Sequence, residues 1–322
     1  MALFFNAPLS FIARGVGIAL RLLPNVQGSV SGYTSGGYNQ TGSPSYYTNT
    51  IDKFPFASDA NATDVGDLSV TRSGSAGQSS PVSGYTSGGF SYSPGTGSTY
   101  YNVIDKFPFA SDGNATDVGD MTVGRNTPAS QSSEESGYSS GGNNPSVTNV
   151  IDKFPFASDA NATDVGDLTV STKNVTGQSS SLSGYTSGGN PVSNIIEKFP
   201  FASDANATDV GDLTVGRDYP AGQSSTPSGY ASGGQGPGSV NSNIIDKFPF
   251  ASDANATDVG DLSVARRGAA GQSSTASGYS SGGNAPPASN VIDKFPFASD
   301  GNATDVGDLT LVREGYDAGQ QV

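Results

Sequence analysis

Residues 76–123 read AGQSSPVSGYTSGGFSYSPGTGSTYYNVIDKFPFASDGNATDVGDMTV. Four short segments stand out, each bounded by turn residues. AGQSS is a run of small side chains. SGYTSGG closes on a glycine doublet. NVIDKFPFA is apolar and alternating, and VGDMTV follows the polar turn SDGNATD. In the third segment Val103, Asp105, Phe107 and Phe109 share one face of a strand. In the fourth, Met121 and Val123 share a face, as Leu68 and Val70 do in the preceding copy. Between Pro24 and the C-terminus no stretch has a useful helical apolar period.

The same wording returns along the chain. The acidic residue of IDKF falls at Asp52, Asp105, Asp152, Glu197, Asp246 and Asp293, at intervals of roughly 45–53 residues. The tyrosine of SGYxSGG falls at Tyr33, Tyr85, Tyr138, Tyr185, Tyr230 and Tyr279. AGQSS or a close variant links one copy to the next. An array of six units, each with four short strands, predicts an all-β fold, a six-bladed β-propeller of four-stranded blades. Small residues in AGQSS suit the innermost strand, where blades converge. The phenylalanine pair is the natural filling between blades, each ring contributing about 1.5–3 kcal/mol on burial. The proline of FPF removes a ladder hydrogen bond, so a bulge or a strand end is expected there. The chain ends YDAGQQV. Ala318–Val322 is therefore expected to supply the inner strand of blade 1 and close the ring, leaving no open sheet edge.

Composition narrows the function classes. The net charge of −14 argues against a phosphate-binding surface and hence against nucleic acid. The chain has no cysteine, histidine or tryptophan. Without a thiol or an imidazole, a nucleophile–base pair is hard to build, and carboxylates repeated identically in every unit suit structure better than one active site. The expectation is a protein that is not an enzyme, although two unlike carboxylates acting on a glycoside would be compatible with this fold class. No required cofactor is expected.

The chain divides into an apolar segment, residues 1–30, and the propeller, residues 31–322. The first 25 residues carry Arg14 and Arg21 and no acid. They lack the marks of a secretory signal. Arg14 interrupts them too early for a membrane-spanning helix of about 20 residues. Three readings stand: an extra element packed on the ring, a docking segment for a larger assembly presenting Phe4, Phe5, Phe11, Ile12, Ile18, Leu22 and Leu23, or, least favoured, a membrane anchor.

The Gly-Gly doublets, the apolar strand after each, and an arginine just before the next inner strand (Arg72, Arg125, Arg217, Arg266 and Arg313, with Lys173 in the remaining copy) resemble kelch-type propeller repeats. The tryptophan usual in kelch repeats is missing. The wording IDKFPFASDxNATDVGDLT is similar to repeat proteins of marine tailed phages. That resemblance implies an exposed place on a virion, in capsid or tail, and it implies no chemistry. Its two functional forms are a structural or decoration protein docked to other virion proteins through the N-terminal segment, and a host-attachment adhesin.

Chain reversal in a four-stranded blade puts the loop after Gly-Gly and the segment around the arginine on one face, and the constant SDANATD turn on the other. The loops after Gly37 and Gly89 are long and rich in tyrosine, serine and glycine. That is the vocabulary of adaptable binding surfaces. Tyr38, Tyr46, Tyr47, Phe90, Tyr92, Tyr100 and Tyr101 are the candidate patch for a host glycan or surface protein; free drift of surface loops is the alternative. The constant turn, with Asp59, Asn61, Thr63, Asp64 and Asp67 in the first copy, resembles an oxygen-rich Ca2+ loop. The same residues also build tight turns unaided. The aspartate of IDKF points inward and needs a partner, either the arginine that follows it or the Gly-Gly amides.

Overall fold

The computed structural model describes residues 27–39, 46–314 and 318–322. It is a ring of six four-stranded antiparallel sheets. In blade 2 the strands run Ala76–Ser79, Ser83–Ser87, Val103–Pro108 and Thr116–Asp120, from the axis outward. Blades 3 to 6 repeat this order in sequence. Blade 1 takes its inner strand, Ala318–Gln321, from the end of the chain. That strand pairs with Ser31–Ser35, with Tyr33 opposite Gln320 and Ser35 opposite Ala318. The expected closure is therefore present.

Neither face of a blade is covered by its own chain. The second strand is buried along its whole length. The third strand sends Ile104 to one side and Asp105 and Phe107 to the other, all buried. Across the first junction, Tyr33, Ile51 and Leu68 of blade 1 pack against Phe107, Phe109 and Ala115 of blade 2. The Tyr33 ring centroid lies 5.5 Å from that of Phe107 and 5.0 Å from that of Phe109. The same arrangement recurs around the ring. The first phenylalanine of each pair is fully buried, whereas the second is half-buried in five of the six units. Gly84, opposite Phe107 in the ladder, lies under that ring, which fills the space any larger residue would need.

The proline ends the third strand, as its missing N–H demands. A bulge also occurs, but three residues earlier. Ile104 pairs with Gly119 and Asp105 with Asp117, so Val118 is extra on the outer strand. The outer strand then stops at Asp120. This corrects the expected outer segment: Met121 is buried, but the chain has already turned, and Val123 is 53% exposed instead of sharing its face.

At the axis, buried glutamines stitch each blade to the next. Gln78 Nε2 donates to the carbonyl of Tyr138, Gln131 to Tyr185, Gln178 to Tyr230 and Gln223 to Tyr279, each at 2.9 Å. Gln272 donates to Tyr33 at 3.0 Å and Gln320 to Tyr85 at 2.9 Å, which completes the circle. Replacing Gln320 by Ala should remove this side-chain donor from the Tyr85 carbonyl, which keeps its ladder partner Gln78, and cost about 0.5–1.5 kcal/mol. Thermal melts should show a small fall, whereas deletion of residues 318–322 should abolish the single cooperative transition.

Candidate binding face and blade junctions

Each loop after Gly-Gly is pinned to the link that precedes its blade. Ser73 and Phe90 exchange backbone hydrogen bonds of 3.0 and 2.7 Å, and Asn126–Asn143, Asp218–Gln235, Arg267–Asn284 and Glu314–Tyr38 do the same, while the Asn190 amide donates to the Lys173 carbonyl at 2.8 Å. The doublet makes this possible. Gly88 and Gly89 both have positive φ, 70° and 112°, where other residues are strained. The variable loops and links thus share one face, as parity requires.

Two hairpins dominate that face. Tyr38–Asn39 pairs with Tyr46–Tyr47, and Phe90–Ser93 with Gly97–Tyr100. Their rings form a row across blades 1 and 2. Centroid distances are 4.9 Å for Tyr38–Tyr47, 6.1 Å for Tyr47–Phe90 and 5.2 Å for Phe90–Tyr100. Tyr101 is tied down, its hydroxyl 2.9 Å from Ser91 Oγ. Tyr46 and Tyr92 are 44% and 56% exposed. The seven candidate residues are therefore brought to one place with unequal parts: a self-packed row of four, one anchored ring, and two rings offered to solvent. Such a surface presents apolar ring faces beside hydroxyl donors. Burial raises the Tyr47 phenol above its usual pKa.

On the opposite face the constant turns splint neighbouring blades. Lys294 Nζ donates to Asp59 at 2.8 Å, and the Asp308 amide donates to Asn61 Oδ1 at 3.1 Å. Asp64 Oδ1 accepts from the Gly66 amide at 3.1 Å, and the Asp67 amide donates to Asn114 of the next blade at 3.1 Å. The Thr63 hydroxyl reaches back to the Lys53 carbonyl at 3.5 Å. These oxygens serve separate partners, and among the described residues no group of three or more acidic, histidine or cysteine side chains is placed to hold a metal ion. Of the candidate metal residues only Asp64 bonds its own turn; Asp59 and Asn61 bond the neighbouring blade, and Asp67 contributes its amide to the next one. The hydrogen bond to Asp112 raises the Lys53 pKa, so any stabilisation from that pair persists below the usual lysine range and fades at more alkaline pH.

Phe4, Phe5, Phe11, Ile12, Ile18, Leu22 and Leu23 lie outside the described residues. The first described residues sit at the axial mouth of the constant-turn face: the Gly28 amide donates to the Ser273 carbonyl at 2.8 Å, and Gln27 Nε2 to the Ser274 carbonyl at 2.9 Å. No helix among the described residues is long and apolar enough to cross a membrane.

Buried ion pairs span five junctions. Arg72–Asp105 and Arg125–Asp152 are at 3.0 Å, Arg217–Asp246 and Arg266–Asp293 at 2.9 Å, and Arg313 pairs with Asp52. The inward aspartate thus finds an arginine, but the one that precedes it and not the one that follows: Asp105 takes Arg72, and Arg125 goes on to Asp152 of the next blade. Its second donor is not the Gly-Gly turn but a strand-end amide, Ser69 N–H to Asp105 at 2.9 Å. The guanidinium also donates to a second-strand carbonyl, Arg72 to Thr86 at 2.9 Å and Arg217 to Ala231 at 2.8 Å. Burial lowers the pKa values of Arg72, Arg125, Arg217 and Arg266, and their aspartates oppose that.

Between blades 3 and 4 the brace differs, and the expected lysine is not the substitute. The residue that bonds where Arg72 does is Thr172: its amide donates to Thr148 and its carbonyl accepts from Gly142, as Arg72 does with Thr48 and Gly37. Lys173 lies one position on, paired with Asn190. The facing carboxylate is Glu197, 4% exposed. Its Oε1 accepts from the Thr169 amide at 2.5 Å and from the Thr169 hydroxyl. Glu197 was detectable in the sequence as the lone IEKF among IDKF copies, but its partner was hidden by a one-residue misalignment.

A scan against protein-family models finds no match to this sequence. A search of curated proteins finds none either.

Two outcomes follow from the junction chemistry. Arg217→Met should leave Asp246 buried and unpaired, costing about 3–5 kcal/mol, a fall in Tm on the order of 10 °C; Lys106→Met, which breaks a half-exposed pair, should shift it little. Burial is the main cause that raises the Glu197 carboxyl pKa, against the Thr169 hydrogen bonds. A raised carboxyl holds its proton more tightly when folded, so its ionisation costs stability as pH rises through the ordinary glutamate range, and the loss is complete above the folded pKa. Thermal melts from about pH 4 to 8 should therefore show Glu197→Gln gaining on wild type as pH rises.

Proposed function

We propose that this chain is a non-enzymatic, kelch-like propeller displayed on a virion, a structural or decoration protein docked through its N-terminal segment to other virion proteins. The observation that carries the reading is the opposition of the two faces. Gln27 and Gly28 meet the ring at the axial mouth of the constant-turn face, and the variable loops occupy the other. A chain docked through residues 1–26 would present the variable face outward. The virion setting rests on the resemblance of the repeat wording to proteins of marine tailed phages.

One observation favours a second reading, attachment to a host glycan or surface protein. Tyr46 and Tyr92 are exposed beside the row of rings, and exposed tyrosines over packed aromatic support suit recognition at low entropic cost. Co-sedimentation of the full-length protein with candidate host cells tests it. An adhesin should bind saturably, and replacing Tyr46, Tyr47, Tyr100 and Tyr101 together by Ala should weaken binding at least about tenfold, a loss of roughly 1.4 kcal/mol. Unchanged binding by a folded variant would rule out the tyrosine patch, and no binding across a broad panel would favour the docked structural part.

A further inference from the structure

The six junctions act as internal controls for one another. In five, a guanidinium from the preceding link meets a buried aspartate; in four of them it also donates to a second-strand carbonyl, and in the fifth Arg313 donates to the carbonyls of Gly36 and Thr50. In the junction between blades 3 and 4 both partners have changed: arginine has become Thr172 and aspartate Glu197. The carboxylate is still buried, and no arginine or lysine among the described residues pairs with it. What replaces the guanidinium is space. A cavity of about 250 Å³ is lined by Thr172, Pro191, Val192, Ile195 and Glu197 among others. That volume is several times the roughly 30 Å³ share of one water molecule.

We propose that this cavity is a binding site for a guanidinium group, carried on an arginine side chain of a partner or on a small guanidinium compound. The fold already holds five such groups in the equivalent place, so the recognition geometry is intrinsic to the junction. Glu197 supplies the carboxylate, and the Thr186 carbonyl stands where Thr86 and Ala231 accept from arginines elsewhere. Val170 and Val192, both partly exposed, offer apolar wall for the methylenes that carry the group. In the arginine junctions one terminal nitrogen serves both acceptors, Arg72 Nη2 donating to Asp105 and to the Thr86 carbonyl and Arg217 Nη2 to Asp246 and the Ala231 carbonyl, and a guanidinium, more weakly hydrated than an ammonium, is the cation more readily buried there. A metal ion would find too few acidic ligands, since no group of three or more acidic, histidine or cysteine side chains stands together among the described residues. Glu197 is buried with hydrogen bonds from Thr169 but no cationic partner among the described residues, and that is the cost such a ligand would relieve. The Pro191–Ser193 loop belongs to the variable face, so the ligand would enter from the side that carries the aromatic row.

Calorimetric titration of the full-length protein tests the proposal. The probes are acetyl-Gly-Arg-Gly-amide, its lysine counterpart and methylguanidinium, all at one ionic strength. The arginine peptide should bind saturably and at least about tenfold more tightly than the lysine peptide. Glu197→Gln should abolish binding. The double variant Thr172→Arg with Glu197→Asp should also abolish it, by filling the site from within, and its Tm should rise above wild type. Equal binding of methylguanidinium would identify a small guanidinium compound as sufficient; binding by the peptide alone would identify an arginine side chain. No binding, equal binding of the lysine peptide, or binding unchanged in the double variant would overturn the proposal.

Discussion

Each blade is a sheet with two apolar faces and no means of covering either one alone. Tyr33, Ile51 and Leu68 need the Phe107 and Phe109 of the next blade, and every blade stands in the same relation to its neighbour. A row of such sheets would always leave one face bare at each end, so the packing is complete only when the sixth blade meets the first. That is why the C-terminal strand belongs to blade 1, and why the glutamine circle at the axis runs unbroken through Gln320. Repetition of the sequence is a consequence: one interface has to be made six times.

Much of this was legible because the signals are local and repeated. Period-two alternation in NVIDKFPFA, turn residues between segments and the spare AGQ at the end of the chain suffice for strand order and closure. The proline correctly marked a strand end. What the sequence could not place was registration at the outer edge. The extra Val118 is a bulge set by how the outer strand bends toward the next blade, so alternation could not be carried through to Val123. Lys173 looked like the missing arginine because it is the nearest basic residue, but counting from Leu168 and Thr176, as Arg72 counts from Leu68 and Ala76, places Thr172 there, and the backbone hydrogen bonds agree. The candidate aromatic residues were correctly gathered on one face by parity, but their division into a self-packed row and two exposed rings depends on hairpin geometry that composition does not encode.

The two faces then divide the constraints. On the constant face, aspartates and asparagines bond lysines and amides of the neighbouring blade, and a change in one unit would unmatch the next. On the variable face the loops need only two backbone bonds to the preceding link, so their length and identity are free. The junction between blades 3 and 4 shows what happens when a constraint is relaxed in the interior. Two substitutions at facing positions leave a carboxylate and a cavity where an ion pair would stand, within a ring that is otherwise intact.

Amide hydrogen exchange along the inner strands tests the closed ring most directly. If the ring closes through its C-terminus, the amides of Ala318–Gln321 should be protected to the same degree as those of Ala76–Ser79, and their protection should be lost only with global unfolding. Exchange of residues 318–321 at the rate of a free tail, with the other inner strands protected, would contradict closure and with it the account of how the six interfaces hold the fold.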